Sequence, residues 1–314
     1  MATAIIHHPI YAKHDTGFGH PETARRYNAV IEGLQEDAGL WGELKEITPV
    51  PASQGVIQAV HSKAHFQRVE HAFAEGVTNL DSDTIVSMRS FDAAMLAAGA
   101  VCRGVDAVMS GEAKNAFAAV RPPGHHATAD NAMGFCIFNN AAVAARYAQN
   151  NYKEIQRVAV IDWDVHHGNG TQGIFYVDPS VHFFSMHQYP WYPGTGSRGE
   201  NGHGRGLGTT LNVTVKANTP AERQRHMFEA ALADIAKGFR PDLIIVSAGF
   251  DAHRADPLGQ LMLEDADFAA MTRNVMDWAD DACEGRIVSC LEGGYDLQTL
   301  GGTSAAHVRE LSLG

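Results

Sequence analysis

Two pairs of adjacent histidines stand in unusual local sequence: His125 with His126, and His166 with His167. The second pair belongs to DWDVHHGNG, residues 162–170. Alternate residues of an extended chain face the same way, so Asp162, Asp164 and His166 are expected on one side, with Trp163 and Val165 on the other. A carboxylate and an imidazole two residues apart can ligate one metal ion. Asp251, in the segment AGFDAH, would complete an Asp–His–Asp set. Three protein ligands with a fourth position open is the pattern of catalytic zinc, whereas structural zinc is closed by four. The same residues would also serve as an ion-paired Asp–His network without metal, or as a solvated turn.

The first pair ends the segment RPPGHH, residues 121–126. Pro122 and Pro123 fix the backbone and Gly124 permits an unusual φ, a rigid way to present two imidazoles. A metal-bound water needs a base, and imidazole has a suitable pKa. Such a histidine is normally oriented through its other ring nitrogen. Asp162 and Asn169 are the candidate partners: the charged one would keep one histidine cationic, and the neutral one would leave the other free to shuttle a proton. Tyr295, in EGGY, could place a phenolic O–H on a carbonyl and stabilise the oxyanion formed on attack. It could equally be a packing tyrosine in a turn. Gly134 and Phe135, in MGFC, could line the same cavity, or Phe135 could be core.

Positioning these groups requires a particular architecture. Short apolar runs rich in β-branched residues read as strands at 3–6, 115–120, 157–161, 181–184, 209–215, 242–247 and 287–291. Helical patterns fall at 22–35, 90–110, 139–150, 221–237 and 263–282. Near-continuous apolar strands separated by helices imply an α/β fold with a mostly parallel sheet covered on both faces. Four of the runs end in the chemistry-bearing segments RPPGHH, DWDVHHGNG, AGFDAH and EGGYD. Ligands of open α/β sheets bind beyond the carboxyl ends of the strands, so these segments should share one edge. The long irregular stretch 188–208 is expected to be a loop near that pocket. His7, His8, His14, His61, His65, His71 and His307 read as surface or structural residues.

Composition narrows the function. The chain has 314 residues, with 24 basic and 36 acidic side chains and a net charge of −12. That balance argues against direct nucleic-acid binding, which needs clustered Lys and Arg. No Walker motif, G-x-S-x-G elbow or dinucleotide fingerprint occurs. The four cysteines form no C-x-x-C pair and are expected to be reduced core thiols. With neither a secretory signal nor an apolar run long enough to span a membrane, a cytoplasmic setting is expected.

Taken together, RPPGHHA, MGFCIFNN, IDWDVHHGNGTQ, SAGFDAH followed by DPLG, and EGGYDL resemble the zinc-dependent histone deacetylase family, closest to its class II and bacterial deacetylase-like members. HPETARR (20–26) and LDSDT (80–84) extend the likeness over nearly the whole chain. The resemblance implies a single arginase/deacetylase-type catalytic domain, 1–314, around a sheet of about eight strands. It implies zinc held by Asp164, His166 and Asp251, a set that would also accept iron(II). His126 would be the principal base and acid and His125 the electrostatic histidine, paired with Asn169 and Asp162 respectively. Tyr295 would bind the scissile carbonyl. Gly134, Phe135 and Tyr192 would line an acyl tunnel, with Asp83 at its rim, and Tyr192 stands where Phe is commoner. The resemblance further implies structural potassium at Asp162, Asp164, His166, Ser185 and Met186, and a second at Phe175, Asp178 and Val181.

The implied activity is removal of acetyl or another short acyl group from acyl-lysine in peptides or proteins. An acetylpolyamine amidohydrolase is the alternative; the uncharged Leu258, where some polyamine-specific relatives carry Glu, leans away from it. A two-manganese ureohydrolase would want D-x-D where this chain has Asp251-Ala252-His253. A silent acyl-lysine binding protein would not need Tyr295 and both histidines.

Overall fold

The computed structural model describes residues 1–314. Eight strands form one sheet: β1 (Ala4–Ile6), β2 (Lys45–Ile47), β3 (Ala116–Ala118), β4 (Val158–Asp162), β5 (Val181–Gln188), β6 (Thr210–Val215), β7 (Leu243–Ala248) and β8 (Ile287–Leu291). The spatial order is β2-β1-β3-β8-β7-β4-β5-β6, and every pairing is parallel. The central strands β4 (VAVID) and β7 (LIIVSA) are buried at every residue. That is why they read as unbroken apolar runs: side chains on both faces meet helices.

Ten α-helices connect and cover the sheet: α1 (Arg25–Glu36), α2 (Ala38–Glu43), α3 (Gln54–Gln58), α4 (Lys63–Ala74), α5 (Ser90–Met109), α6 (Asn140–Asn151), α7 (Asn169–Phe175), α8 (Ala221–Gly238), α9 (Asp265–Cys283) and α10 (Leu300–Leu313). One packed group comprises α5, α6 and α7, and another α1, α8, α9 and α10. No helix is long and apolar enough to cross a membrane.

The departures from the sequence reading have local causes. The Lys45–Ile47 strand carries no apolar run because it lies at the sheet edge with Lys45 and Glu46 exposed, residue types depleted from strands but useful on edges. α1 begins at Arg25, not at 22, because Glu22 turns inward and is fully buried among arginines. β5 runs on to Gln188 through the polar residues Ser185, His187 and Gln188. The Ser185 hydroxyl and the Gly196 carbonyl hold His187, and Gln188 accepts from the Gln260 amide, so buried polar residues here read falsely as loop. α10 carries no clear helical signal in sequence because it begins Leu-Gly-Gly-Thr-Ser. Its Gly301 backbone lies against Gly33 of α1, where a Cβ on Gly33 would stand 2.4 Å from the Gly301 Cα. Glycine weakens helix propensity but permits that approach.

Candidate active site

β3, β8, β7 and β4 are neighbours, and all four carboxyl ends open on the same edge. The segments that follow them converge there. Extended alternation does not carry the chain past β4, which ends at Asp162. Beyond it the chain folds into side-chain-closed turns: Asp162 Oδ1 accepts the Asp164 amide at 3.1 Å, and Asp164 Oδ1 accepts the His166 amide at 2.9 Å. These turns, rather than strand pleating, bring Asp164 and His166 together, while the Asp162 carboxylate turns toward His125.

His166 Nδ1 lies 3.0 Å from Asp164 Oδ1 and 3.1 Å from Asp251 Oδ2. One donor atom from each of Asp164, His166 and Asp251 lies within 4.8 Å of the others, and all three residues are buried. The remaining carboxylate oxygens are held by the backbone: Gly293 N–H donates to Asp164 Oδ2 at 2.8 Å and Val165 N–H to Asp251 Oδ1 at 2.7 Å. Gly293 is required by closeness, since a Cβ there would sit 2.0 Å from Asp251 Oδ2 and 2.6 Å from Asp164 Oδ2.

The charges of this cluster are held by protons. Burial opposes charge on His166, but Asp164 and Asp251 outweigh it and raise its pKa to about 10. Burial and the neighbouring Asp164 push Asp251 up to about 7. His166 holds a proton at neutral pH and Asp251 holds one part of the time, whereas the neighbouring His125 and His166 keep Asp164 ionised; a divalent cation can displace those protons from such a donor set. Two oxygens and one nitrogen suit zinc or iron(II).

The histidine pair stands beside this cluster. His125 Nδ1 donates to Asp162 Oδ2 at 3.0 Å, and His126 Nδ1 donates to Asn169 Oδ1 at 2.7 Å. The rings lie 4.0 Å apart, centroid to centroid. Burial disfavours charge on both. For His125 the carboxylates of Asp164 and Asp162 overcome that and raise its pKa well above the usual value. For His126 burial is reinforced by its neighbours His125 and His166, which hold it well below. The site therefore pairs a cationic imidazole with a neutral one whose Nδ1 is engaged by an amide oxygen.

A cavity of about 270 Å³ opens onto these groups, lined by Asp83, His126, Gly134, Phe135, His166, Trp191, Tyr192, Pro257, Leu258 and Tyr295. Every tunnel residue expected from the sequence is in it. The Tyr192 ring stands edge-on to His126 at 5.2 Å, and Phe135 edge-on to Tyr295 at 5.9 Å. Trp191, at the aromatic start of the 188–208 stretch, donates to the Leu258 carbonyl at 2.9 Å and ties the two walls together. Asp83 Oδ1 accepts the Gly134 amide at 3.1 Å. Of the expected potassium residues, Ser185 pairs in register with Asp162, and the Asp178 carboxylate is engaged by Arg146 and Ser180.

Sequence reasoning missed the supports. Glu22, Arg26 and Arg121 are fully buried. Glu22 pairs with Arg26 at 2.9 Å and with Arg121 at 2.5 Å. Arg26 donates to the Gly294 carbonyl at 2.6 Å, and its guanidinium lies 4.8 Å from the Tyr295 ring centroid. Asp256 accepts the Tyr295 amide at 2.6 Å. The HPETARR and DPLG segments carried the signal, but only the fold shows that they end beneath the tyrosine. His14, His61, His65 and His307 are buried, and none of them lines the cavity.

Comparison with known proteins agrees with this architecture. A family model described as "Histone deacetylase domain" matches residues 20–311. The chain is 38% identical over 299 residues to a "Probable deacetylase" of Archaeoglobus fulgidus, covering 95% of this chain and 82% of that protein. It is 38% identical over 293 residues to the "Histone deacetylase-like amidohydrolase" of Pseudomonas aeruginosa, covering 93% and 76%. The crystal structure of the HDA15 HD domain superposes with a TM-score of 0.90 at 34% identity, covering 99% of this chain and 90% of that one.

Proposed function

The chain belongs to the histone deacetylase family of hydrolases, and we propose that its 314 residues form one metal-dependent catalytic domain that deacylates acyl-lysine in peptides or proteins. The observation that carries this reading is the convergence of Asp164, His166 and Asp251 beside a cavity that His126 and Tyr295 also line. Those three residues would hold zinc, which when bound polarises the acyl oxygen and acidifies water.

The protein groups supply positioning and proton transfer. Phe135, Tyr192 and Leu258 form apolar walls suited to an uncharged alkyl linker. The Tyr295 hydroxyl donates to the acyl oxygen as negative charge develops there. Because His126 Nδ1–H is engaged by Asn169, its Nε2 lone pair is free to take a proton from the attacking water. Its depressed pKa keeps it neutral and ready to do so. His125, held cationic over Asp162, supplies fixed positive charge beside the reacting centre. The protonated imidazole then returns the proton to the leaving amine, and acetate departs. Asp162, Asp164, His166, Ser185 and Met186, and separately Phe175, Asp178 and Val181, would hold structural potassium.

A second reading, a small N-acyl polyamine as substrate, is favoured by the carboxylate of Asp83 in the cavity wall. The deciding measurement is kcat/KM of the zinc-loaded protein on an acetyl-lysine peptide and on N-acetylputrescine. Preference for the peptide supports acyl-lysine. Preference for the polyamine overturns it, and activity on neither overturns both.

A further inference from the structure

One fully buried acid takes no part in that chemistry. Glu292 directly follows β8 and is 0% exposed. Its Oε2 accepts the Gly124 amide at 2.6 Å and the His125 amide at 3.1 Å. Its Oε1 accepts the Ser247 hydroxyl, from β7, at 3.0 Å. Neither of the two amides donates to a backbone carbonyl, so Glu292 is their acceptor. A carboxylate in such a place is costly unless hydrogen-bonded, and a buried N–H without an acceptor is costly too. Each therefore holds the other in place.

Within the turn 122–126 the other backbone hydrogen bonds fall on carbonyls: Pro122 accepts the Asn140 side-chain amide at 3.1 Å and Gly124 accepts the Ala127 amide at 3.0 Å. Arg121 is anchored on Glu22 before the turn, and the His125 carbonyl accepts the Gly170 and Thr171 amides at the start of α7. Only Glu292 reaches the N–H side of its middle, where the imidazoles begin. We propose that Glu292 is a positioning residue: its carboxylate clamps the Gly124 and His125 backbone to β7 and β8, setting the height from which His125 meets Asp162 and His126 meets Asn169. The clamp joins three of the segments that build the site and rests on the deacylase reading for what the histidines do. Its role lies in hydrogen-bond geometry. Glutamine, of the same shape, can still accept both amides through its oxygen and donate to Ser247.

Three measurements test this. The first is the amide proton spectrum of the wild-type protein, which does not depend on turnover. The Gly124 and His125 amides should lie downfield and exchange slowly; ordinary, fast-exchanging signals overturn the clamp. The second is kinetic. Glu292→Ala should lower kcat by about 10²-fold with KM within about twofold, because a shift of about 1 Å at the reacting groups costs that much. Glu292→Gln should recover most of it, falling less than about fivefold, the loss expected when charge-assisted bonds become neutral ones. A glutamine variant as impaired as alanine shows that charge, not geometry, matters and overturns the proposal. The third is metal content, which should stay at the wild-type value in both variants; loss of metal would place Glu292 in support of the ligands and also overturn it. If Glu292→Ala does not fold, the amide signals and the glutamine variant still decide. A wild-type protein that shows the clamped amides but hydrolyses no acyl amine would refute the deacylase reading and leave the clamp standing.

Discussion

Replacing Gly293 by alanine should weaken metal binding at least about 100-fold while leaving all three proposed metal ligands, Asp164, His166 and Asp251, in the sequence. The added Cβ would lie 2.0 Å from Asp251 Oδ2 and 2.6 Å from Asp164 Oδ2, against a limit of 3.0 Å that real Cβ atoms respect. The pair must therefore open by at least 1.0 Å on the Asp251 side and 0.4 Å on the Asp164 side. Neither carboxylate can swing away freely, because Val165 N–H fixes Asp251 and Gly293 N–H itself fixes Asp164. Metal–ligand distances tolerate deviations of about 0.2 Å, so a displacement several times larger should cost zinc affinity at least about 100-fold, or about 2.7 kcal/mol. The assay is competition for zinc against a fluorescent chelator, with circular dichroism and urea unfolding to show that the fold persists. Gly173→Ala is the control, since a Cβ there meets nothing within 4 Å. If Gly293→Ala bound zinc as tightly as the wild-type protein, the assignment of Asp164 and Asp251 as the metal carboxylates would fail.

Three further outcomes follow from the same geometry. Tyr295→Phe removes one oxyanion donor and should lower kcat by about 10²–10³-fold while zinc stoichiometry is unchanged; an unchanged kcat would remove the tyrosine from the reaction. Zinc uptake should release protons and tighten as pH rises through about 7, where Asp251 gives up its proton, with His166, at about 10, releasing one at any lower pH. Calorimetry in buffers of different ionisation enthalpy reads this directly, and uptake without proton release would contradict the protonated cluster. His307 is fully buried, between Thr272 and Ser289, and burial lowers its pKa to about 3. A histidine depressed in the folded state is protonated first in the unfolded chain, so its contribution is intact above about pH 6.5 and is lost as pH falls toward 3. Between pH 7 and 5 it should cost about 2 kcal/mol, and His307→Asn should flatten the urea-measured stability over that interval by the same amount. Parallel pH profiles for the two proteins would refute the assignment.

The sequence by itself determined the parallel α/β class, because strands covered on both faces must be apolar throughout, as in β4 and β7. It also determined the residues at the site: His125, His126, Asp164, His166, Asp251 and Tyr295 were legible because each sits just past an apolar run, in a chemically unusual segment. Tertiary structure alone decided how they meet. The turns closed by Asp162 and Asp164, rather than strand pleating, bring His166 to Asp164. Strand order puts β7 and β8 between β3 and β4, bringing residues more than a hundred positions apart into contact. The supports Glu22, Arg26, Arg121, Asp256 and Glu292 were invisible for a physical reason. A charged side chain in a sequence reads as solvated. Only the fold shows which charges are buried, and which backbone amides and guanidinium groups meet them there.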